Sequence, residues 1–189
     1  MTKIYLAGPD VFLPDAVELG RAKVELCAAY GLTGLFPLDT KVNVESRGAS
    51  RKIFRGNRKM MDEAKAIIVN LTPFRGPGAD PGTVYELGYM GGLGKLCPGY
   101  SNDPSHYVKR VAKFSRVNKR GKRLVDDEGR TVENFDLPDN LMIVHALDIH
   151  GCPLIVPKQA SSDIWHDLAL FEACGRLAAR RLRAAPRAG

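Results

Sequence analysis

The sequence predicts an α/β fold of Rossmann-like, flavodoxin-like type: a doubly wound parallel sheet with helices on both faces, plus a small β-hairpin insertion. Three observations carry this. Apolar β-type runs alternate with helical patterns along the chain, which places crossover helices between parallel strands. The run at 66–71, Ala-Ile-Ile-Val-Asn-Leu, is almost continuously apolar, as a strand covered on both faces requires. Gly- and Pro-rich turns follow the first and central strands, where such sheets bind ligands.

Taken in order, residues 3–7 form a short β-type run that Gly8-Pro9 ends. Pro14-Asp15 opens a helical pattern to about Tyr30. Val17, Val24, Cys27 and Ala28 give it an apolar stripe, and Gly31 is its natural stop. A second strand covers 32–38, closed by Pro37 and Asp39. A polar loop runs through Arg51, and a helix is expected over 52–65. After the central strand, 72–82 is too rich in Pro and Gly to be anything but a loop. A helix follows from near Thr83 to near Gly94, then a short strand over 95–100. Residues 122–126 and 130–134 read as a hairpin around Asp127-Glu128-Gly129. A helix is expected over 140–150, a last strand over 153–156, and a long final helix from Asp163 with Ser162 as its cap.

The 189 residues fit one domain, taken as 1–183 with a flexible basic tail over 184–189. No apolar run approaches the roughly 20 residues of a membrane span. The start, MTKIYLAGPD, lacks the apolar stretch of a secretory signal and reads as the first strand of a cytoplasmic protein. Cys27, Cys97, Cys152 and Cys174 have no C-x-x-C spacing and read as reduced, mostly buried thiols. No clustered Cys/His/Asp set signals a metal.

The net charge of +7 is unevenly placed. Arg176, Arg180, Arg181, Arg183 and Arg187 lie in the last fourteen residues, and eight Lys/Arg fall between Lys109 and Arg123. Nucleic-acid binding is one reading of this. With no aromatic interleaving and acids just downstream, a solvated loop and tail is the better one, and no specific nucleic-acid partner is expected.

Two carboxylates stand at the expected ligand crevice, in Asp80-Pro-Gly-Thr83-Val-Tyr-Glu86. Thr83-x-x-Glu86 fits a helix capping box, with both acids favouring the positive helix end. It also fits the carboxylate pair of glycosidic chemistry, one attacking an anomeric carbon and the other serving proton transfer or positioning. Helix-start amides would then keep Glu86 ionised, as a nucleophile must be. Gly76, Gly78 and Gly82 would let the backbone approach a sugar closely.

Four segments resemble the nucleoside 2-deoxyribosyltransferase family in order and spacing. They are Ile4-Tyr-Leu-Ala-Gly-Pro9, Ala66-Ile-Ile-Val-Asn-Leu-Thr-Pro-Phe-Arg-Gly76, Asp80-x-Gly-Thr-x-x-Glu86-Leu-Gly and Asp139-Asn-Leu-Met142. The resemblance implies a pentosyltransferase that exchanges the base of a 2′-deoxynucleoside for a free nucleobase, with no metal or organic cofactor. It implies that Glu86 is the nucleophile and forms a deoxyribosyl ester with net retention. Asp80 would bind the base and assist its protonation, and Tyr5 would orient Glu86. Asn57 falls where several members carry an aspartate facing the base, and an amide cannot donate a proton in the same way. Asn140 and Met142 match a segment that reaches into a neighbouring subunit's site, which implies a homo-oligomer with composite sites. Gly8, Gly82 and Phe12 complete the expected substrate contacts, Phe12 as a stacking surface for the base. Arg75 either helps hold the crevice closed or is an exposed loop cation.

Two alternatives belong beside this. A hydrolase on the same scaffold would use water in place of the second base. Relatives that act on monophosphates carry a serine- and arginine-containing loop after the first strand; here Asp10 in that loop would repel a phosphate. A non-catalytic nucleotide-binding module is the alternative of a different class, since fold alone does not set function.

Overall fold

The structure is a computed structural model that describes residues 1–39 and 42–184. Four parallel strands form its sheet in the order β2-β1-β3-β4: β1 (Thr2–Ala7), β2 (Leu32–Leu35), β3 (Ala66–Asn70) and β4 (Gly99–Tyr100). Every residue of β3 is buried, which matches its unbroken apolar sequence and its place inside the sheet.

Side chains alternate between two cores, as the period of a strand demands. Ile4, Leu6 and Ile68 face one side, where α1 (Ala16–Ala29) and α6 (Ala169–Ala184) supply Cys27, Phe171, Cys174 and Ala178. Tyr5, Ala7, Ile67 and Val69 face the other, against Met61 of α2 (Ala49–Glu63), Leu87 and Met90 of α3 (Pro81–Gly92) and Leu147 of α5 (Leu141–Asp148). Helices therefore cover both faces, and Tyr5 is committed to the α3 side. The remaining helix is the short α4 (Tyr107–Val111). All four cysteines are buried and free. Among the described residues, no helix is long and apolar enough to cross a membrane.

Several boundaries differ from expectation for identifiable reasons. Gly31 does end α1, taking φ +75, a conformation that suits glycine. The expected strand over 153–156 shrinks to one bridge between Ile155 and Tyr100, because Pro153 and Pro157 offer no N–H to extend a ladder. The strand expected over 95–100 is likewise interrupted at Pro98 and leaves β4 and an isolated bridge at Leu96. The hairpin is a three-stranded antiparallel sheet, β5 (Asn118–Arg120), β6 (Arg123–Val125) and β7 (Thr131–Val132).

The last helix starts at Ala169 rather than Asp163, and Ser162 does not cap it. Asp163 instead accepts from the amides of Trp165 and His166, while the Asn102 amide donates to the carbonyls of Ile164 and Asp167. Those side-chain bonds compete with helical pairing. The tail expected over 184–189 begins within the helix, at Ala184; residues 185–189, including Arg187, lie outside the described residues.

Candidate active site

A cavity of about 340 Å³ opens beyond the carboxyl ends of β1 and β3. Gly8 and Phe12 border it from the turn after β1, Ile53 and Asn57 from α2, and Asp80, Gly82, Thr83 and Glu86 from the start of α3. Val11, Pro37, Leu38, Val42 and Val44 complete an apolar wall. Asp80 and Glu86 are the only ionisable side chains lining it among the described residues.

Glu86 is held from below. The Tyr5 hydroxyl, fully buried on β1, donates to Glu86 Oε1 at 2.5 Å. Burial pushes the Glu86 carboxyl up to about 7; the Tyr5 hydrogen bond opposes this, and the charge of Asp80 adds to it. Burial, with the Glu86 charge and hydrogen bond, holds the Tyr5 phenol far above its ordinary range, so it acts as a donor. The expected support from helix-start amides does not exist. Asp80, not Thr83, is the N-cap of α3, and Glu86 is the sixth helical residue, beyond the free amides. Asp80 Oδ2 accepts from Thr83 N at 2.9 Å and Thr83 Oγ1 at 3.1 Å, so capping fixes the carboxylate at the cavity edge.

The turn after β1 is fixed by a buried ion pair. Lys23 Nζ donates to Asp10 Oδ2 at 2.6 Å, and Asn70 Nδ2 donates to Asp10 Oδ1 at 2.8 Å. Both charged side chains are almost fully buried. A Cβ on Gly8 would lie 2.4 Å from Asp10 Oδ2 and 2.7 Å from Asn70 Cβ, so close approach accounts for this glycine. Asp10 is thus directed into the protein and neutralised. It does not present a charge to a phosphate in the cavity, contrary to the sequence-based expectation.

Phe12 stacks on Phe74 with ring centroids 5.4 Å apart, and Phe74 meets Trp165 edge-on at 5.9 Å. The Arg75 guanidinium lies over both phenylalanines, 5.0 and 4.6 Å from their centroids. Arg75 is therefore a stacking cation beside the cavity wall.

Of the expected site residues, Tyr5, Gly8, Phe12, Asn57, Asp80, Gly82 and Glu86 converge. Asn140 and Met142 do not line this cavity. Asn140 caps α5 by accepting from Met142 N at 3.0 Å and donates to Glu133 at 2.7 Å, while the Met142 side chain is 72% exposed. Missing from the sequence-based set were Val11, Pro37, Leu38, Val42, Val44, Ile53 and Thr83. The available signal was apolar residues recurring in an otherwise polar loop, with Ile53 one helical turn from Asn57.

Comparisons with known proteins bear on this site. The family model described as Nucleoside 2-deoxyribosyltransferase matches residues 4–142. The 2-desoxiribosyltransferase from Leishmania mexicana is 28% identical, over 95% of this chain and 98% of that one, with a TM-score of 0.63. A conserved protein from Enterococcus faecalis V583, 19% identical over 91% and 96% of the two chains with a TM-score of 0.53, shares the fold. An uncharacterized protein of Schizosaccharomyces pombe is 39% identical over 118 residues. That match spans 60% of this chain and 56% of that curated relative.

Proposed function

This chain belongs to the nucleoside 2-deoxyribosyltransferase family, a family of pentosyltransferases, and on that premise we propose that it exchanges the nucleobase of a 2′-deoxynucleoside through a deoxyribosyl ester of Glu86. The observation that carries the reading is a half-buried carboxylate lining the cavity, held on one oxygen by Tyr5, with a second carboxylate, Asp80, in the same lining.

With Oε1 held by Tyr5, Glu86 Oε2 attacks C1′. The C1′–N bond breaks, its electron pair leaves with the base, and the base gains a proton with the help of Asp80. A second base then attacks C1′ from the opposite face, breaks the ester and loses a proton. Two inversions give net retention. Phe12 supplies a flat surface for the base, and Asn57 offers it a neutral donor and acceptor. The apolar wall supports transfer over hydrolysis because it limits water around the ester. No Lys or Arg lines the cavity among the described residues, which favours an unphosphorylated nucleoside. Met142, exposed in the single chain, and Asn140 beside it are assigned to a second copy's cavity in a homo-oligomer.

Incubation of the protein with deoxyinosine and adenine or cytosine tests this. A new deoxynucleoside that requires the acceptor is the expected product. Deoxyribose formed equally with and without an acceptor would replace transfer by hydrolysis, and no turnover across deoxynucleosides and their monophosphates would overturn both.

The titration of Glu86 adds a second expectation. The nucleophile must be ionised, so ester formation rises as pH increases through about 7. Tyr5→Phe removes the hydrogen bond that favours the carboxylate. It is expected to move that limb alkaline by roughly 1–2 pH units, the equivalent of one charge-assisted hydrogen bond. A pH profile of first-base release reads this directly, and an unmoved limb would remove Tyr5 from the mechanism.

A further inference from the structure

Arg110 lies inside the basic stretch 109–123, yet its side chain is only 2% exposed. Its donors are divided among three segments. Nε donates to the carbonyl of Pro77 at 2.6 Å, Nη1 to that of Ser105 at 2.6 Å, and Nη2 to Asp139 Oδ2 at 3.0 Å. The Asp139 carboxylate is itself buried, and its Oδ1 accepts from Asn140 N at 2.7 Å. Burial raises the Asp139 pKa, opposed by the Asn140 amide, the Arg110 charge and the Ala79 amide. Arg110 and Asp139 together therefore hold the backbone on both sides of Gly78 and Asn140, the residue that caps α5.

The two segments so joined lead into Asp80, at the cavity, and into α5. Pro77 and Ala79 lie three residues and one residue before Asp80. Asn140 and Met142 lie one residue and three residues after Asp139. A buried guanidinium has fixed, planar donor geometry, so satisfying three acceptors at once sets their relative positions. Lysine has the charge but not the fork.

We propose that Arg110 is a positioning residue, which places Asp80 at the cavity and, through Asp139, holds residues 140–142 in place. The catalytic part of this rests on the reading of Asp80 and Glu86 above; the structural coupling does not. Arg110 touches neither carboxylate, and the Tyr5–Glu86 bond belongs to a separate set of contacts.

The test uses the full chain and Arg110→Lys, with two readouts. The first is backbone hydrogen exchange. Amides of 78–80 and 139–142 are expected to exchange together, at least ~10-fold faster than in the parent, while those of 85–90 keep their rates. The second is the rate of first-base release from deoxynucleosides without acceptor. It is expected to fall ~10–100-fold, the scale of a mispositioned catalytic group, and most for bases that leave least readily unprotonated, with a smaller change in KM. Asp139→Asn is the second variant and should reproduce the paired loss of protection if Arg110→Lys does not fold.

Exchange that rises in only one of the two segments, or in neither, overturns the coupling. Paired loss of protection with parental base release, equal for good and poor leaving bases, overturns the catalytic role. If the parent protein itself releases no base, the functional reading fails and the exchange experiment still decides whether Arg110 joins the two segments.

Discussion

Glu86→Gln is expected to abolish base exchange, by at least ~10³-fold, while making the protein more stable above neutral pH. The first effect follows from the proposed role of Glu86 as nucleophile, which an uncharged amide cannot fill. The second follows from its titration. Burial raises the Glu86 pKa from its usual 4.5 to about 7. Between those values the folded state holds a proton that the unfolded state has released, so stability falls as pH rises across this window. Above about 7 the cost is complete, with a ceiling of roughly 3.5 kcal/mol at ~1.4 kcal/mol per pH unit. Glutamine carries no charge to bury. Thermal melts of the two proteins at pH 5 and pH 8 should show the variant's advantage growing at the higher pH. An advantage that is absent at pH 8, or equal at both, would mean that the parent carboxylate is not strained by burial.

Lys23→Met is expected to destabilise the protein by ~3–5 kcal/mol, the scale for leaving one member of a buried ion pair unpaired. Asp10 would keep its bond from Asn70 Nδ2 but lose its countercharge in a site closed to water. Lys23 also lies 5.2 Å from the Phe171 ring centroid, where a methionine remains compatible with the aromatic surroundings. The double variant Asp10→Asn with Lys23→Met removes both charges, and urea denaturation should find it more stable than Lys23→Met alone. If the single change costs no more than a surface substitution, the pair does not hold the turn that carries Phe12.

The parts of this fold that were legible in the sequence are those set locally. The continuous apolar run of β3 announced a strand covered on both faces, and Gly31 marked the end of α1 through its backbone freedom. The cluster from Asp80 to Glu86 was legible as a helix start bearing two acids, but the cap proved to be Asp80, because Pro81 occupies the first helical position and Thr83 supplies the donors. What could not be read depends on distant partners. The start of α6 is set by Asn102, more than sixty residues earlier. Arg110 looked like one more solvated cation because its acceptors at 77, 105 and 139 meet only in the folded chain. Val42 and Val44 in the loop before α2, and Ile53 within α2, border one cavity with Asp80 and Glu86 only in the folded chain.

Trp165 is the chain's only tryptophan. It sits edge-on to Phe74, which stacks on Phe12 at the cavity wall. Any base that shifts Phe12 therefore alters the surroundings of a single indole two rings away. The intrinsic fluorescence of this protein is therefore expected to report occupancy of the cavity, free of contributions from other tryptophans and without label, product separation or turnover.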